Sequence, residues 1–317
     1  MNACVNTVVD RLQSPVAVLF GGDSQEREVS LNSGNAVISA LATMAIPHVA
    51  VDTRDDWIEI LRSQNIKHAL IFLHGGEGED GTVQAVLDTL CISYAGSGVE
   101  ASAVAMDKVR SKQVWADQSI PTPPGTVAGF DADPAKILAE YGPAVIVKPA
   151  HEGSSVGMAI ARTAKELAAA IVDASTYDSV VLVETLLTGP EFTVAILGQQ
   201  CLPSIMLEPD GAFYDYQAKY VSGDTNYHCP SGLSASEEHG LALLAKDAFD
   251  AIGCEGWGRV DIMAHNGRYF VLEVNTIPGM TDHSLVPKAA AVAGLSFQQL
   301  VLEILAESLP SEASNGR

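Results

Sequence analysis

The stretch VIVKPAHEGSSVGM, residues 145–158, ends an apolar run at Lys148 and follows it with Gly153, Ser154, Ser155 and Gly157. Glycines let backbone N–H groups approach an anion and serine hydroxyls add short donors, so this spacing suggests phosphate binding. It is not a P-loop, in which the lysine follows the glycines. A plain surface turn between strands would share the composition, so other residues must decide.

A second constellation lies in GRVDIMAHNGRYFVLEVNTIPGMT, which reads as a β-hairpin turning at Asn266-Gly267. A two-residue turn sets Asp261 opposite Leu272, on the other face from Glu273. A three-residue loop at His265, Asn266 and Gly267 sets Asp261 opposite Val271, and this is the register we expect. It puts Arg259, Asp261, Glu273 and Asn275 on one face, because side chains alternate with period two. Two carboxylates and an amide oxygen form a hard, oxygen-only set suited to Mg2+, with Arg259 beside them to meet a phosphoryl group. Ordinary cross-strand ion pairs on a solvated face are the alternative. The tight turn NTIPGMT and the hydroxyl of Ser284 just downstream weigh toward a site.

The elements that must carry these residues are legible in the apolar pattern. In the first third, PVAVLF, IPHVAVD, HALIFLH and CISYAG alternate with SLNSGNAVISAL, DDWIEILRSQN and TVQAVLDTL, the βαβ signature of a parallel sheet with covering helices. A long helical pattern through VEASAVAMDKVRSKQVWADQ then meets PTPPGTV, whose prolines end it. A second unit follows, with VAGF, a helix near DPAKILAEY, the strand AVIVKPA, the strand MAIAR, a helix near AKELAAAIVDA and the strand VVLVE. From about Gly189 long strands dominate: EFTVAILG, LPSIMLEP, GRVDIMAH and YFVLEVN. Ser234 and Glu237 form a capping box before a helix closed by Gly253, and a last helix lies near SFQQLVLEILAES. The resulting class is α/β, with expected units over 1–95, 96–183 and 184–317.

The 317 residues, 47% hydrophobic and 18% charged, suffice for two or three cores. No apolar run approaches the roughly 20 residues that span a bilayer, and the start lacks the pattern of a signal peptide, so we expect a cytoplasmic protein with no membrane partner. Five scattered cysteines without a C-x-x-C pair argue against a disulfide framework or zinc site. A net charge of -21 without a basic run disfavours nucleic acid as a partner. It also singles out the few cations beside glycine-rich turns. Glu26 follows the Gly21-Gly22 turn at a helix start, where an ammonium would be attracted and a phosphate repelled; G-x-G-x-x-G is absent.

Seven segments in order, GGDSQEREVSLNSG (21–34), LHGGEGEDGT (73–82), MDKVRSK (106–112), VKPAHEGSSVGM (147–158), FYDYQAKY (213–220), GWGRVDIM (256–263) and LEVNTIPGMTDHSLVP (272–287), together resemble the D-alanine:D-alanine ligases of the ATP-grasp superfamily. The resemblance implies a three-domain ATP-grasp fold with an N-terminal parallel-sheet preATP-grasp domain. It implies D-alanine and ATP as substrates, two Mg2+ ions with Mn2+ as a substitute, an acylphosphate route to a dipeptide for the cell wall, and a homodimer. By it Lys108, Lys148, Ser155, Glu184, Glu191 and Lys219 bind ATP. Asp261, Glu273 and Asn275 hold the metal, and Arg259 stabilises the transferred phosphoryl. Glu26 meets the first D-alanine's ammonium, with His74 nearby, and joins Ser154 and Tyr220 in a trio. Ser284, with Gly279 and Leu285, receives the second D-alanine's carboxylate. Tyr220, where a phenylalanine goes with ester formation, implies a dipeptide product. Thr185 and Leu186, after the adenine-side glutamate, depart from the common pattern at the adenine contacts; His151, Val274 and Ile277 depart from it as well, and none of these removes a charge assigned to catalysis.

Overall fold

The computed structural model describes residues 2–129, 131–208, 226–281 and 283–309. Strand β1 (Val16–Phe20) is buried along its whole length, as expected of a strand covered on both faces of a parallel sheet. With β2 (His48–Asp52), β3 (His68–Ile71) and β4 (Ser93–Tyr94) it forms a parallel sheet in the order β2-β1-β3-β4. Helices α1 (Asn2–Arg11), α2 (Arg27–Thr43), α3 (Trp57–Ser63) and α4 (Thr82–Thr89) accompany it. Apart from α1, which the sequence reading did not include, this is the alternation read from the sequence.

The long helix expected over residues 99–118 is instead two, α5 (Val99–Met106) and α6 (Lys108–Asp117). Asp107 takes an extended conformation between them, and its side chain accepts from the Val109 and Arg110 N–H groups, so an N-cap restarts the helix at Lys108. The break aims Lys108 back at the chain that follows. That chain makes a second, antiparallel sheet from β5 (Gly125–Ala128), β6 (Val145–Pro149), β7 (Ala159–Ala161) and β8 (Val181–Thr185), ordered β5-β8-β6-β7. Helices α7 (Pro134–Tyr141) and α8 (Ala164–Ala174) cover it, the second begun by a capping box at Thr163 and Glu166.

The third sheet holds β9 (Glu191–Leu197), β10 (Gln200–Cys201), β11 (Ile205–Glu208), β12 (Asn226–His228), β13 (Trp257–His265) and β14 (Arg268–Asn275). Its order is β12-β11-β9-β13-β14, with β10 on β9. The expected capping box at Ser234 and Glu237 begins α9 (Ala235–Ala251), whose Leu241, Ala245, Ala248 and Phe249 are buried against this sheet. Helices α10 (Leu285–Val292) and α11 (Phe297–Glu307) return to the core of the first sheet, where Leu285, Val286, Leu300 and Leu305 pack. No single described helix is long and apolar enough to cross a membrane; α10 and α11 meet the criterion only jointly, across a 106° bend.

The hairpin corrects the expected register. His265 pairs with Arg268, so the turn at Asn266-Gly267 has two residues, not three. The ladder then shifts between Ile262 and Asp261: Ile262 faces Val271, Asp261 faces Glu273, and Leu272 is the extra residue of a β-bulge. Beyond it Arg259 faces Asn275. Val260, Ile262, Val271 and Val274 enter the core on one side, leaving the four polar residues together on the other. The shared face is as expected, reached by a bulge rather than a longer turn.

Candidate active site

The site lies where the three sheets meet. Glu26 directly precedes α2, after Gly21 and Gly22 at φ +81° and +70°. Asp52 fixes this turn, accepting from the Gly22 N–H at 3.2 Å and from both terminal nitrogens of Arg27 at 3.0 and 2.6 Å. Hydrogen bonding from Arg27 holds the Asp52 carboxyl down at about 2. Ser30 closes the turn from behind, accepting from the Gly21 N–H at 2.7 Å and donating to the Phe72 carbonyl at 2.7 Å.

The glycine-serine loop after β6 reaches across to this turn. Ser154 donates to Glu26 Oε1, joining the first unit to the second. Ser154 and Ser155 hold φ of +52° and +60°, a conformation costly for non-glycine residues and one often found at ligand clamps. Lys108 Nζ donates to the Glu152 carbonyl at 2.8 Å, while His151 lies 2.8 Å from Asp178 and 3.4 Å from Asp107. The loop is therefore pinned from the α5–α6 break.

On the hairpin face, Arg259 donates twice to Asp261, from Nε at 2.9 Å and from a terminal nitrogen at 2.7 Å. Thr193 and Asn275 also donate to Asp261, at 2.7 and 3.1 Å. Glu273 lies 3.3 Å from Lys108 Nζ. Among the described residues no group of three or more His, Cys, Asp or Glu could hold a metal. Two carboxylates and an amide still fit Mg2+, which keeps several waters and is commonly held by one or two carboxylates plus substrate phosphates. The donor set is oxygen-only and lies on one face, with cations close enough to balance it in the free protein.

Two cavities share this junction. A larger one of about 550 Å³ is lined by Lys148, Ser155, Glu184, Glu191 and Asp261, with Ile146, Met263 and Leu272 as apolar wall. That volume lies within the range usual for small-molecule sites, roughly 300–1,000 Å³. A smaller one is lined by Glu26, His74, Glu79, Arg259, Asn275 and Gly279. Lys108, Gly153, Ser154 and Glu273 line both.

At the floor of the larger cavity Glu184 is fully buried, paired with Lys112 and, at 2.8 Å, with Lys148. Burial opposes its charge, but the two lysines hold it below the usual carboxylate range. Burial likewise opposes the charge of Lys148, and Glu184 reverses the effect and raises it. Thr185, a departure from the family pattern, turns its hydroxyl to the Tyr141 carbonyl at 2.8 Å.

His74 is buried and bonded, Nε2 lying 3.0 Å from Ser33 Oγ. Ser33 accepts from the Met280 N–H at 3.1 Å, so its own proton is free to reach the ring. Burial pushes His74 down to about 4, so the imidazole is neutral at pH 7. It ties the first sheet to the turn after β14. In that turn Ser284 accepts from the Thr281 N–H at 3.0 Å and stands at the start of α10. Ser284 lines neither cavity, and the side chain of Leu285 packs in the first core, leaving only backbone for a ligand. Lys219 and Tyr220 lie outside the described residues.

Three residues were missed by sequence reasoning. Glu79 lines the smaller cavity and accepts from the Gly75 N–H at 2.6 Å; burial, then Glu26, push it up to about 8. It stands in LHGGEGEDGT, a segment read only for His74. Lys112 follows Lys108 by one helical turn, a spacing that places both on one face of α6. Thr193 carried no signal, being one polar residue in an apolar strand.

A cleft walled by two antiparallel sheets, closed by a glycine-serine loop and faced by a carboxylate hairpin, defines the ATP-grasp class. The family described as "D-ala D-ala ligase C-terminus" matches residues 126–306. A D-alanine–D-alanine ligase of Pseudomonas putida strain GB-1 is 56% identical over 295 residues, 93% of each chain. The D-alanine–D-alanine ligase structure from Bacillus anthracis superposes with a TM-score of 0.84 at 34% identity, covering 93% of this chain and 97% of that one. The structure of that enzyme complexed with ATP gives 0.80 at 31%, with the same coverage. This chain belongs to the D-alanine–D-alanine ligase family.

Proposed function

We propose that this protein joins two D-alanine molecules into D-alanyl-D-alanine, converting ATP to ADP and phosphate, for peptidoglycan precursor synthesis. The observation that carries the reading is convergence. Lys108, Ser154 and Glu273 line both a nucleotide-sized cavity and a smaller polar one, and the smaller one adds Glu26, Arg259 and Asn275.

In this reading ATP occupies the larger cavity, its base among Ile146, Met263 and Leu272 and its ribose toward Glu191, with Lys148 and Glu184 at the floor. Lys108, Lys148, Ser155 and the backbone N–H groups of the loop draw in the phosphates, with Lys219 added by the family resemblance. Asp261, Glu273 and Asn275 would hold Mg2+, as two ions replaceable by Mn2+. Bound there, the metal supplies charge neutralisation for the phosphate oxygens.

Glu26 attracts the first D-alanine's ammonium and so aims its carboxylate toward Arg259. A carboxylate oxygen attacks the γ-phosphorus and ADP leaves, giving an acylphosphate; Arg259 stabilises the charge in flight. The second D-alanine, its carboxylate at Ser284, Gly279 and the Leu285 backbone, gives one ammonium proton to solvent before the loop closes. Its nitrogen attacks the acyl carbon, the C–O bond to phosphate breaks, the departing phosphate takes the nitrogen's second proton, and the dipeptide forms. The Glu26, Ser154 and Tyr220 trio orients both molecules, and closure of the loop keeps water from the acylphosphate.

We further read residues 1–95, 96–183 and 184–317 as substrate-side, lid and catalytic units, the protein as a homodimer, and its place as the cytoplasm. Sedimentation velocity tests the dimer. The reaction is tested by incubating the protein with MgATP and D-alanine, with L-alanine and D-lactate in parallel, following ADP release and identifying the product by mass. D-alanyl-D-alanine formed only from D-alanine supports the reading. ADP release without dipeptide overturns the substrate, and no release with any of them overturns the activity.

A further inference from the structure

A site for phosphates needs net positive charge, yet Lys148 lies against the buried carboxylate of Glu184 at 2.8 Å. An isolated pair of that kind is neutral and attracts an anion weakly. The other oxygen of Glu184 is taken by Lys112, which lines neither cavity. Two lysines on one carboxylate leave the cluster with one positive charge to spare.

Lys112 also reaches the other wall. Its ammonium donates to Thr122 Oγ1 at 2.8 Å, and that hydroxyl donates to the Val271 carbonyl at 3.0 Å. The Val271 N–H returns to the Pro121 carbonyl at 2.8 Å. Val271 immediately precedes the bulge residue Leu272 and stands two residues before Glu273. One ammonium thus connects the strand bearing Glu184 to the strand bearing Leu272 and Glu273, through the linker between α6 and β5.

Burying an ammonium costs several kcal/mol before its partners are counted. Burial indeed pushes Lys112 down to about 8, against the pull of Glu184. A merely space-filling role would be served by an apolar side chain. The position of Lys112 behind the cavity, with each contact leading to a residue on the cavity wall, is that of a group acting through others.

We infer that Lys112 is a positioning residue of the nucleotide site, holding one oxygen of Glu184 so that Lys148 keeps its charge for an anionic ligand, and anchoring the bulged strand through Thr122. This rests on the nucleotide site proposed above. Lys112 touches no reacting atom.

The test compares Lys112→Met, Lys112→Arg, Thr122→Val and Lys148→Ala by calorimetric ATP binding, by steady-state kinetics in ATP and in D-alanine, and by thermal melting. Loss of a charge-assisted contact predicts that Lys112→Met weakens ATP binding and raises the KM for ATP by about tenfold, with the KM for D-alanine unchanged. Lys112→Arg keeps the charge and restores most of the affinity. Adding Glu184→Gln to Lys112→Met also recovers ATP binding, because it removes the carboxylate left to neutralise Lys148; a purely structural role predicts further loss. A folded Lys112→Met that binds ATP normally, or a double variant that recovers nothing, overturns the inference. If Lys112→Met does not fold, Thr122→Val decides: a raised KM for ATP alone supports the anchor, and an unchanged one overturns it. Unchanged ATP binding in Lys148→Ala places the failure in the nucleotide-site reading itself.

Discussion

Asp261 and Glu273 stand directly opposite each other on β13 and β14 because Leu272 is left out of the ladder between them. Without that bulge the two-residue turn would set Leu272 opposite Asp261 and carry Glu273 to the core side. The bulge also turns Leu272 onto the wall of the larger cavity. Leu272→Ala is therefore expected to keep both carboxylates in place while removing apolar contact with the base. Loss of about 1–2 kcal/mol of burial corresponds to a rise in the KM for ATP of roughly 5- to 30-fold. Initial rates at saturating D-alanine check this; an equal rise in the KM for D-alanine would mean the hairpin itself has moved.

Asp261 is the hub of the hairpin face, accepting from Arg259, Thr193 and Asn275. Asp261→Asn keeps the shape but replaces an acceptor-only group with one that also donates, so the paired contact with Arg259 is lost. D-alanine-dependent ADP release is expected to fall on the order of 10²-fold, as when one donor to a transition-state charge is removed. Titration of Mg2+ should show a weakened requirement curve. Near-normal turnover would separate Asp261 from the chemistry.

What could be read from the sequence follows from distance along the chain. Apolar runs such as VAVLF declare buried parallel strands by themselves, and Ser234 with Glu237 declares a helix start, because both signals are local. Asn266-Gly267 likewise declares where the hairpin turns, but not that the turn has two residues rather than the three expected. The bulge is not local: it is set by Val271 packing into the core opposite Ile262, a constraint from the whole third sheet. The α5–α6 break was hidden because Asp107 sits inside an unbroken helical pattern and acts as a cap only through its extended backbone. Glu184 reads as a ligand contact, whereas its charge is first spoken for by lysines 72 and 36 residues away, on α6 and β6.

The buried, neutral His74 gives stability a defined acid limb. Its pKa in the folded state, about 4, lies below the ordinary 6.5, so its contribution is full above pH 6.5 and is lost as pH falls through about 4. The shift corresponds to about 3 kcal/mol. Urea unfolding of the nucleotide-free protein and of His74→Gln, across that window, should show a wild-type excess that shrinks with acidification. A constant difference would mean the histidine does not titrate between the two states.

Glu79 gives the opposite slope. Burial and Glu26 raise its carboxyl from 4.5 to about 8, so it favours the fold when protonated. That contribution is present below pH 4.5 and is lost as pH rises through about 8. Glu79→Gln, which cannot ionise, should gain on the wild type from pH 4.5 upward in the same unfolding measurement. Parallel curves would place Glu79 as an ordinary carboxylate with no cost to its charge.

Gly279 and Ser284 make the last case, one of space rather than charge. A Cβ at Gly279 would sit 2.9 Å from Ser284 Oγ, closer than side chains tolerate. The hydroxyl is held between the Thr281 N–H and Thr281 Oγ1, at 3.0 and 2.9 Å, so it cannot yield without leaving that position. Gly279→Ala should then raise the KM for D-alanine at the second site while leaving ATP binding and the melting temperature close to wild type. Two D-alanine sites can be separated by the concentration dependence of the rate, the weaker phase reporting the second. If the stronger phase moves instead, the turn after β14 serves the first D-alanine through His74 and Met280, and the assignment of Ser284 changes with it.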